Sequence, residues 1–367
     1  MPYQQSRRDF LQKLTGGLGA TLAAGTLTEA VATPATRRLQ EGKKLGVALV
    51  GLGSYAKNQL AVALEKTSNC YLAAIVTGTA SKAEEWSKKY NLDKKSIYNY
   101  QNFDEIAKNK AVDIVYVVLP NSMHKEFVLR AAKAGKHVMC EKPMATSVKD
   151  AEEMVNACKA ANVQLGIGYR MHFEPFTREI IRLCTQKELG TVKFIQTNFG
   201  FNIGDPNQWR LKKAMAGGGP LMDVGIYCVQ ASRYVTGEEP LSVTAQYGPV
   251  TDTAVFKDVE QSLSWQLEFP GGATVNGFTS YRSNIEQLYI SASKGWMQLS
   301  PAYSYGPIKG STSNGPLQLP VVHHQTVMME DICKAFIDTG KFPAHTNGEE
   351  GLRDMKILMS IYEAAGT

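Results

Sequence analysis

The sequence predicts an α/β fold in two parts: a parallel sheet covered by helices, then a mostly antiparallel sheet with helices set among its strands. Three observations lead there. Strand and helix patterns alternate from residue 45 to about 169, as crossover helices between parallel strands require. After Tyr169 the apolar period shortens to two, the period of antiparallel strands with one covered face. The first strand also runs directly into a Gly-x-Gly-x-x-Ala turn. A chain of 367 residues is long enough for two cores of this kind.

The first strand, 45–50 (LGVALV), leads into Gly51-Leu52-Gly53-Ser54-Tyr55-Ala56 and a helix over 55–65. Gly51 permits the tight turn, Gly53 lets the backbone approach a pyrophosphate, and Ala56 allows helix and strand to pack closely. The helix N-terminus faces the phosphates. Strand, turn and helix together make a Rossmann dinucleotide-binding fingerprint. Further strands fall at 71–76, 114–119, 137–140 and 164–169. Helices fall near 80–90, 102–109, 123–134 and 147–161, the last opened by Ser147 three residues before Asp150. The second part has strands at 192–199, 241–247, 260–269, 272–281, 286–293 and 295–300. Its helices lie near 174–186, 220–235, 324–338 and 349–365.

Ligands of open parallel sheets sit beyond the C-terminal strand ends, so the residues just after each strand are the informative ones. After the second strand an NAD-selective site places an acid to hold the ribose 2′-hydroxyl. Here Thr77 takes that position and Lys82 follows, a hydroxyl with a cation, which suits the 2′-phosphate of NADP. Lys142, beside Pro143 after the fourth strand, directs an ammonium into the same cleft.

The chain begins with a different kind of signal. Ser6-Arg7-Arg8-Asp9-Phe10-Leu11 is a twin-arginine signature, followed by a Gly- and Ala-rich apolar segment and Ala30-Val31-Ala32 as a cleavage site. Residues 1–32 therefore read as an export signal for a folded protein, and 33–44 as a short polar arm. The dinucleotide-binding domain spans 45–169, and a substrate-binding and oligomerisation domain spans 170–367. The expected location is the periplasm, with no membrane attachment after processing. Net charge is +6, with basic and acidic residues interspersed and no basic-aromatic stripe, which argues against a nucleic-acid partner. The six cysteines show no C-x-x-C and no zinc-like spacing, so buried free thiols and no metal site are expected.

With Glu141-Lys142-Pro143 among its motifs, the sequence resembles the glucose–fructose oxidoreductase/inositol dehydrogenase family. The likeness runs from about Gly46 to Ala365. It includes GLGxYAxNQ at 51–59, LPNSxH at 119–124, AGKHVMCEKPMATSV at 134–148 and IGYR at 167–170. QWRL at 208–211, AGGGxLMDxGIY at 216–227 and GEEG at 348–351 continue it. The resemblance implies a large open sheet, one face supporting the substrate site and the other serving contact between subunits of a dimer or tetramer. It implies cofactor contacts from Tyr55, Leu119, Asn121, His124, Glu141 and Lys142 in these motifs. Tyr100 would flank the cleft, Arg170 would approach the cofactor, and Trp209, Arg210 and Tyr305 would reach back from the second domain.

Asp223 and Tyr227 lie four apart on the 220–235 helix and so share a face. With Lys142 they are the candidate catalytic set. Tyr227 would take the proton of a sugar hydroxyl, the Lys142 ammonium would favour its phenolate form, and Asp223 would orient sugar hydroxyls. His172 is the nearest alternative proton carrier by sequence. The expected activity is oxidation of an aldose to its lactone and reduction of a ketose or second aldose with retained NADP. The short arm also leaves open an ordinary NADP-dependent dehydrogenase with exchangeable cofactor. A non-catalytic NADP-binding sensor would lack the intact Lys142/Tyr227 pair.

Overall fold

The computed structural model describes Gly42 and residues 44–366. The predicted export signal, and all of the 33–44 arm except Gly42 and Lys44, lie outside the described residues.

β1 (Leu45–Val50) is buried along its whole length, as a central strand covered on both faces must be. It pairs in parallel with β2 (Cys70–Val76) and β4 (Ile114–Val117). β3 (Ile97–Tyr98), β5 (His137–Cys140) and β6 (Leu165–Ile167) complete a six-stranded parallel sheet ordered β3-β2-β1-β4-β5-β6. The order reverses between β1 and β4, which opens a crevice at the carboxyl end of β1.

The helix after β1 is continuous from Ser54, but its middle, Ala56–Leu60, is a π turn that leads into α1 (Ala61–Lys66). α2 (Ala80–Tyr90), α3 (Asn121–Lys133) and α4 (Val148–Ala160) follow the other strands. The Ser147 side chain caps α4 by accepting from the Asp150 amide at 3.1 Å. The segment predicted as a helix over 102–109 is a 3₁₀ stretch, Phe103–Lys108, too short to sustain i→i+4 pairing.

The second domain is an eight-stranded sheet. Its strands are β7 (Val192–Gly200), β8 (Ser242–Tyr247), β9 (Ser262–Glu268), β10 (Thr274–Ser280), β11 (Ile285–Ala292) and β12 (Gly295–Leu299). Two short strands, β13 (Gly310–Thr312) and β14 (Gly315–Pro316), extend one edge. The order is β14-β13-β12-β11-β7-β10-β9-β8, antiparallel except where β7 runs parallel to β10. α5 (Pro175–Thr185) and α6 (Ile226–Thr236) belong to this half, and α6 packs on β7 and β10.

α7 (His324–Thr339) and α8 (Gly348–Ala364) return to the first domain. Met328, Met329, Ile332 and Phe336 of α7 share a core with Leu49, Leu60 and Ile75. α8 packs against α4 and β6 on one side and against α6 and β8 on the other. A buried cluster ties it down: Arg233 Nη1 donates to Asp354 at 2.6 Å, and its Nη2 pairs with Glu239 at 2.6 Å and Glu350 at 2.8 Å. All six cysteines are buried and free. No helix among the described residues is long and apolar enough to cross a membrane, and none of their His, Cys, Asp and Glu side chains cluster as a metal site.

Candidate active site

At the crevice, Gly51 has φ +95°, and a Cβ there would meet the Val118 carbonyl at 2.6 Å, so only glycine serves. A Cβ on Gly53 would find nothing within 4 Å, because this residue faces open space. Behind them Ala56 is fully buried. These residues form the floor of a cleft of about 810 Å³ whose opposite wall belongs to the second domain. The residues proposed from the sequence as catalytic or cofactor-binding line it: Gly51, Gly53, Tyr55, Ala56, Thr77, Lys82, Tyr100, Leu119, Asn121, His124, Glu141, Lys142, Arg170, Trp209, Arg210, Asp223, Tyr227 and Tyr305. An open glycine over a strand-to-helix turn, in a cleft spanning both domains, fits a nicotinamide dinucleotide.

At one end, Thr77 is buried and its hydroxyl accepts from the Thr79 amide at 3.2 Å, which leaves its own hydrogen to donate. Lys82 stands exposed in the first turn of α2, where there is no acidic residue. Tyr100 closes against Gly78 and meets Phe127 edge-on at 5.3 Å. Asn121 is engaged across the domains, its Nδ2 donating to the Ala216 carbonyl at 2.8 Å. His124 lies between the Leu119 and Pro143 carbonyls at 2.8 and 3.0 Å. Burial outweighs those two contacts and pushes His124 down to about 4.

At the other end, residues from both domains converge. The Glu141 carboxylate accepts from Tyr116 at 2.6 Å, and burial pushes its pKa up. Lys142 Nζ donates to the backbone carbonyl of Asp223 at 2.7 Å and lies 3.6 Å from that residue's carboxylate. Burial alone would raise the Asp223 pKa. Arg210 and Lys142 outweigh it, with help from Tyr281, and hold the carboxylate below its usual range. Arg210 Nε is 3.1 Å from Asp223 Oδ2, and the guanidinium lies over the Trp209 ring. Tyr281 donates to the same oxygen at 3.1 Å.

Asp223 lies in a π turn, Leu221–Gly225, which runs into α6 and places Asp223 and Tyr227 on the same cleft wall. That turn is anchored by Glu260, which accepts from the Gly219 and Leu221 amides at 2.9 and 3.2 Å and from Tyr362 at 2.7 Å. A Cβ on Gly218 would meet the Tyr362 hydroxyl at 2.0 Å, so the backbone needs glycine there too.

The Lys142 ammonium stands 4.8 Å from the Tyr227 ring centroid, over the face, and donates to the Asp223 carbonyl. The cation at the phenol oxygen is Arg170, whose Nε donates to Tyr227 at 3.3 Å. His172 does not line the cleft. Its ring packs on Tyr234 at 3.8 Å and on His345 at 4.5 Å, inside the protein, and burial holds its pKa well below the usual value. Sequence reasoning passed over the aromatic side of the cleft, Phe199, Phe201 and Tyr303, and also Tyr281. In the sequence these read as alternating strand residues or loop tyrosines, and only pairing across strands and domains gathers them.

Comparison with known proteins identifies the family. A model described as an oxidoreductase family with an NAD-binding Rossmann fold matches residues 45–169, and one described as the GFO/IDH/MocA C-terminal domain matches 177–298. A solved aldose–aldose oxidoreductase from Caulobacter crescentus, complexed with glycerol, is 43% identical with a TM-score of 0.84, over 88% of this chain and 98% of that one. D-xylose 1-dehydrogenase (NADP(+)) from Haloarcula marismortui is 29% identical over 330 residues, 87% of this chain and 91% of its own. Trans-1,2-dihydrobenzene-1,2-diol dehydrogenase from Xenopus tropicalis is 32% identical over 241 residues, 64% of this chain and 68% of its own. The chain belongs to the GFO/IDH/MocA family of oxidoreductases with an NAD-binding Rossmann fold.

Proposed function

We propose that this protein is an exported, NADP-dependent sugar oxidoreductase that oxidises an aldose to its lactone and reduces a ketose or second aldose without releasing its cofactor. The observation that carries the reading is the meeting of Tyr227, Lys142, Asp223 and Arg170 from two domains at one end of a dinucleotide-shaped cleft. Thr77 and Lys82, with no acid beside them, support NADP, as does the NADP named for the xylose dehydrogenase. The aldose–aldose relative supports the coupled use of two sugars.

The bound nicotinamide supplies the hydride acceptor and donor. The residues that would hold the cofactor are Gly51, Gly53, Thr77 and Lys82 at the phosphate end, with Glu141, Trp209 and Tyr305 farther along. Tyr227 takes the proton of the sugar hydroxyl during oxidation and returns it to the carbonyl oxygen during reduction. Asp223, ionised and fixed by Arg210 and Tyr281, keeps Oδ1 as an acceptor for a sugar hydroxyl. Phe199, Phe201 and Tyr303 provide apolar faces for a sugar ring.

Assembly as a homo-oligomer is part of the proposal. The sheet face away from α6 carries Phe194, Phe278, Tyr289 and Trp296, all partly exposed, with Tyr289 and Trp296 stacked at 6.3 Å. Export through the twin-arginine route predicts that an Arg7-Arg8→Lys-Lys variant stays in the cytoplasm, and periplasmic delivery of that variant on fractionation would refute it.

A second reading, an NADP-dependent aldose dehydrogenase with exchangeable cofactor, is favoured by the shortness of the 33–44 arm. An absorbance spectrum of the purified protein separates the two. Retained cofactor would appear without addition, be reduced by D-glucose or D-xylose, and be reoxidised by D-fructose or a second aldose. Protein that arrives without cofactor and turns over only with added NADP would favour the second reading. Failure of any sugar to reduce bound NADP would refute both.

A further inference from the structure

We propose that Arg170 is the catalytic cation that holds the reacting oxygen of Tyr227, and that His324 is the positioning residue that aims it. The inference rests on Tyr227 being the proton carrier and assigns the charge that serves it.

Arg170 follows β6 and is 3% exposed. Its donors are almost all committed. Nη1 donates to His324 Nδ1 at 2.9 Å and to the Ser304 carbonyl at 3.2 Å, and Nη2 donates to the Tyr303 carbonyl. The guanidinium lies 4.9 Å from the Tyr227 ring centroid and 4.7 Å from that of Tyr305. Held at both ends, it presents Nε to the Tyr227 oxygen at 3.3 Å.

A guanidinium has no acceptor and keeps its proton at any working pH. The Tyr227 hydroxyl hydrogen therefore cannot point toward Arg170 and is turned elsewhere, with the cleft as the open side. When Tyr227 is a phenolate, the same N–H and its full charge stabilise it, and the oxygen is ready to take a proton. One contact thus directs the proton when Tyr227 gives it and stabilises the anion when Tyr227 receives it. Lys142, held by the Asp223 carbonyl, acts more weakly through the ring face.

His324 begins α7 and is 3% exposed. Its Nδ1 can accept from Arg170 only while the imidazole is neutral, so the latch and the helix start are coupled. The charged groups facing the Arg170–Tyr227 pair are Lys142 after β5, Asp223 in the π turn and Glu141 beside Lys142. The phenols of Tyr55, Tyr305 and Tyr303 and, from α6, Tyr234 also face the pair, and His323 acts on His324 from the same turn.

The test compares Tyr227→Phe, Arg170→Gln, Arg170→Lys, His324→Leu and His324→Asn in the full chain with its cofactor. Stopped-flow absorbance follows cofactor reduction by whichever of D-glucose and D-xylose is faster. Ultraviolet difference titration against Tyr227→Phe follows Tyr227 ionisation without turnover. Arg170→Gln should slow reduction by about a hundredfold and move the titration to higher pH. Arg170→Lys should recover part of both. His324→Leu should move the titration in the same direction by less, and His324→Asn, whose amide oxygen can replace Nδ1, should restore it. The proposal fails if Arg170→Gln leaves the titration in place, or if Lys142→Ala moves it further. If Arg170→Gln does not fold, the His324 pair decides, and a native titration in His324→Leu overturns the assignment. Near-native rates in Tyr227→Phe would instead refute the proton-carrier reading beneath it.

Discussion

Replacing Lys82 by alanine is the sharpest probe of cofactor choice. Lys82 is exposed in the first turn of α2, and the acids farther along that helix are engaged elsewhere: Glu85 pairs with Lys57 at 2.7 Å and Glu84 with Lys88 at 2.7 Å. Its ammonium therefore has no competitor in that turn for an anion in the cleft. A hydrogen bond to a charged group is worth about 1.5–3 kcal/mol, and solvent screening at this open position leaves the lower end, about tenfold in affinity. Because only NADP carries the 2′-phosphate, Lys82→Ala should weaken NADPH by about tenfold and leave NADH within about twofold. Fluorescence titration of cofactor-stripped protein measures both. The NADPH effect should shrink as salt rises, since an exposed charge acts over a Debye length of about 10 Å at 0.1 M. Equal losses for the two cofactors, or tighter binding of NADH by the parent protein, would refute the assignment.

Three further outcomes follow from the packing. Burial and the neighbouring Arg170 push His324 down to about 3, so between that value and its ordinary 6.5 the unfolded chain binds the extra proton. Stability is then complete above pH 7 and falls as the medium is acidified, by about 2 kcal/mol at pH 5. Chemical denaturation at the two pH values should show a smaller loss in His324→Asn, and an equal loss would refute the cause. Asp354→Ala removes the buried carboxylate that accepts from Arg233 Nη1 and Gln230, leaving Arg233 with Glu239 and Glu350, and should cost about 1–3 kcal/mol in the same assay. Gly218→Ala drives a methyl into the Tyr362 hydroxyl, so it should destabilise by about 1–3 kcal/mol and slow turnover by loosening the Glu260 anchor. Wild-type stability in either variant would contradict the packing argument.

The first domain was legible because its strands are buried on both faces and end in turn residues with special backbone needs. Gly51 and Ser147 each declare a local geometry. In the second sheet the period of two marked six strands but could not reveal that β7 runs parallel to β10, because side-chain alternation is the same in both pairings. β13 and β14 are too short to show a period. The π turns at Ala56–Leu60 and Leu221–Gly225 escaped as well, since their residues satisfy an ordinary helical pattern. At the site, the residues beyond the strand ends were readable, but their pairings were not. Which cation meets the Tyr227 oxygen depends on the Asp223 carbonyl capturing Lys142, and no spacing along the chain encodes that.

The return of α7 and α8 to the first domain has a consequence for synthesis. The sheet that begins at Leu45 is sealed on one side by Met328, Met329 and Ile332, and on the other by Met355, Ile357 and Leu358. A nascent chain that has delivered only the first domain lacks both of those coverings. Closure waits until α8 has been made, so the first domain finishes folding together with that helix. A truncation near residue 320 should therefore yield an aggregating species rather than a small dinucleotide-binding protein.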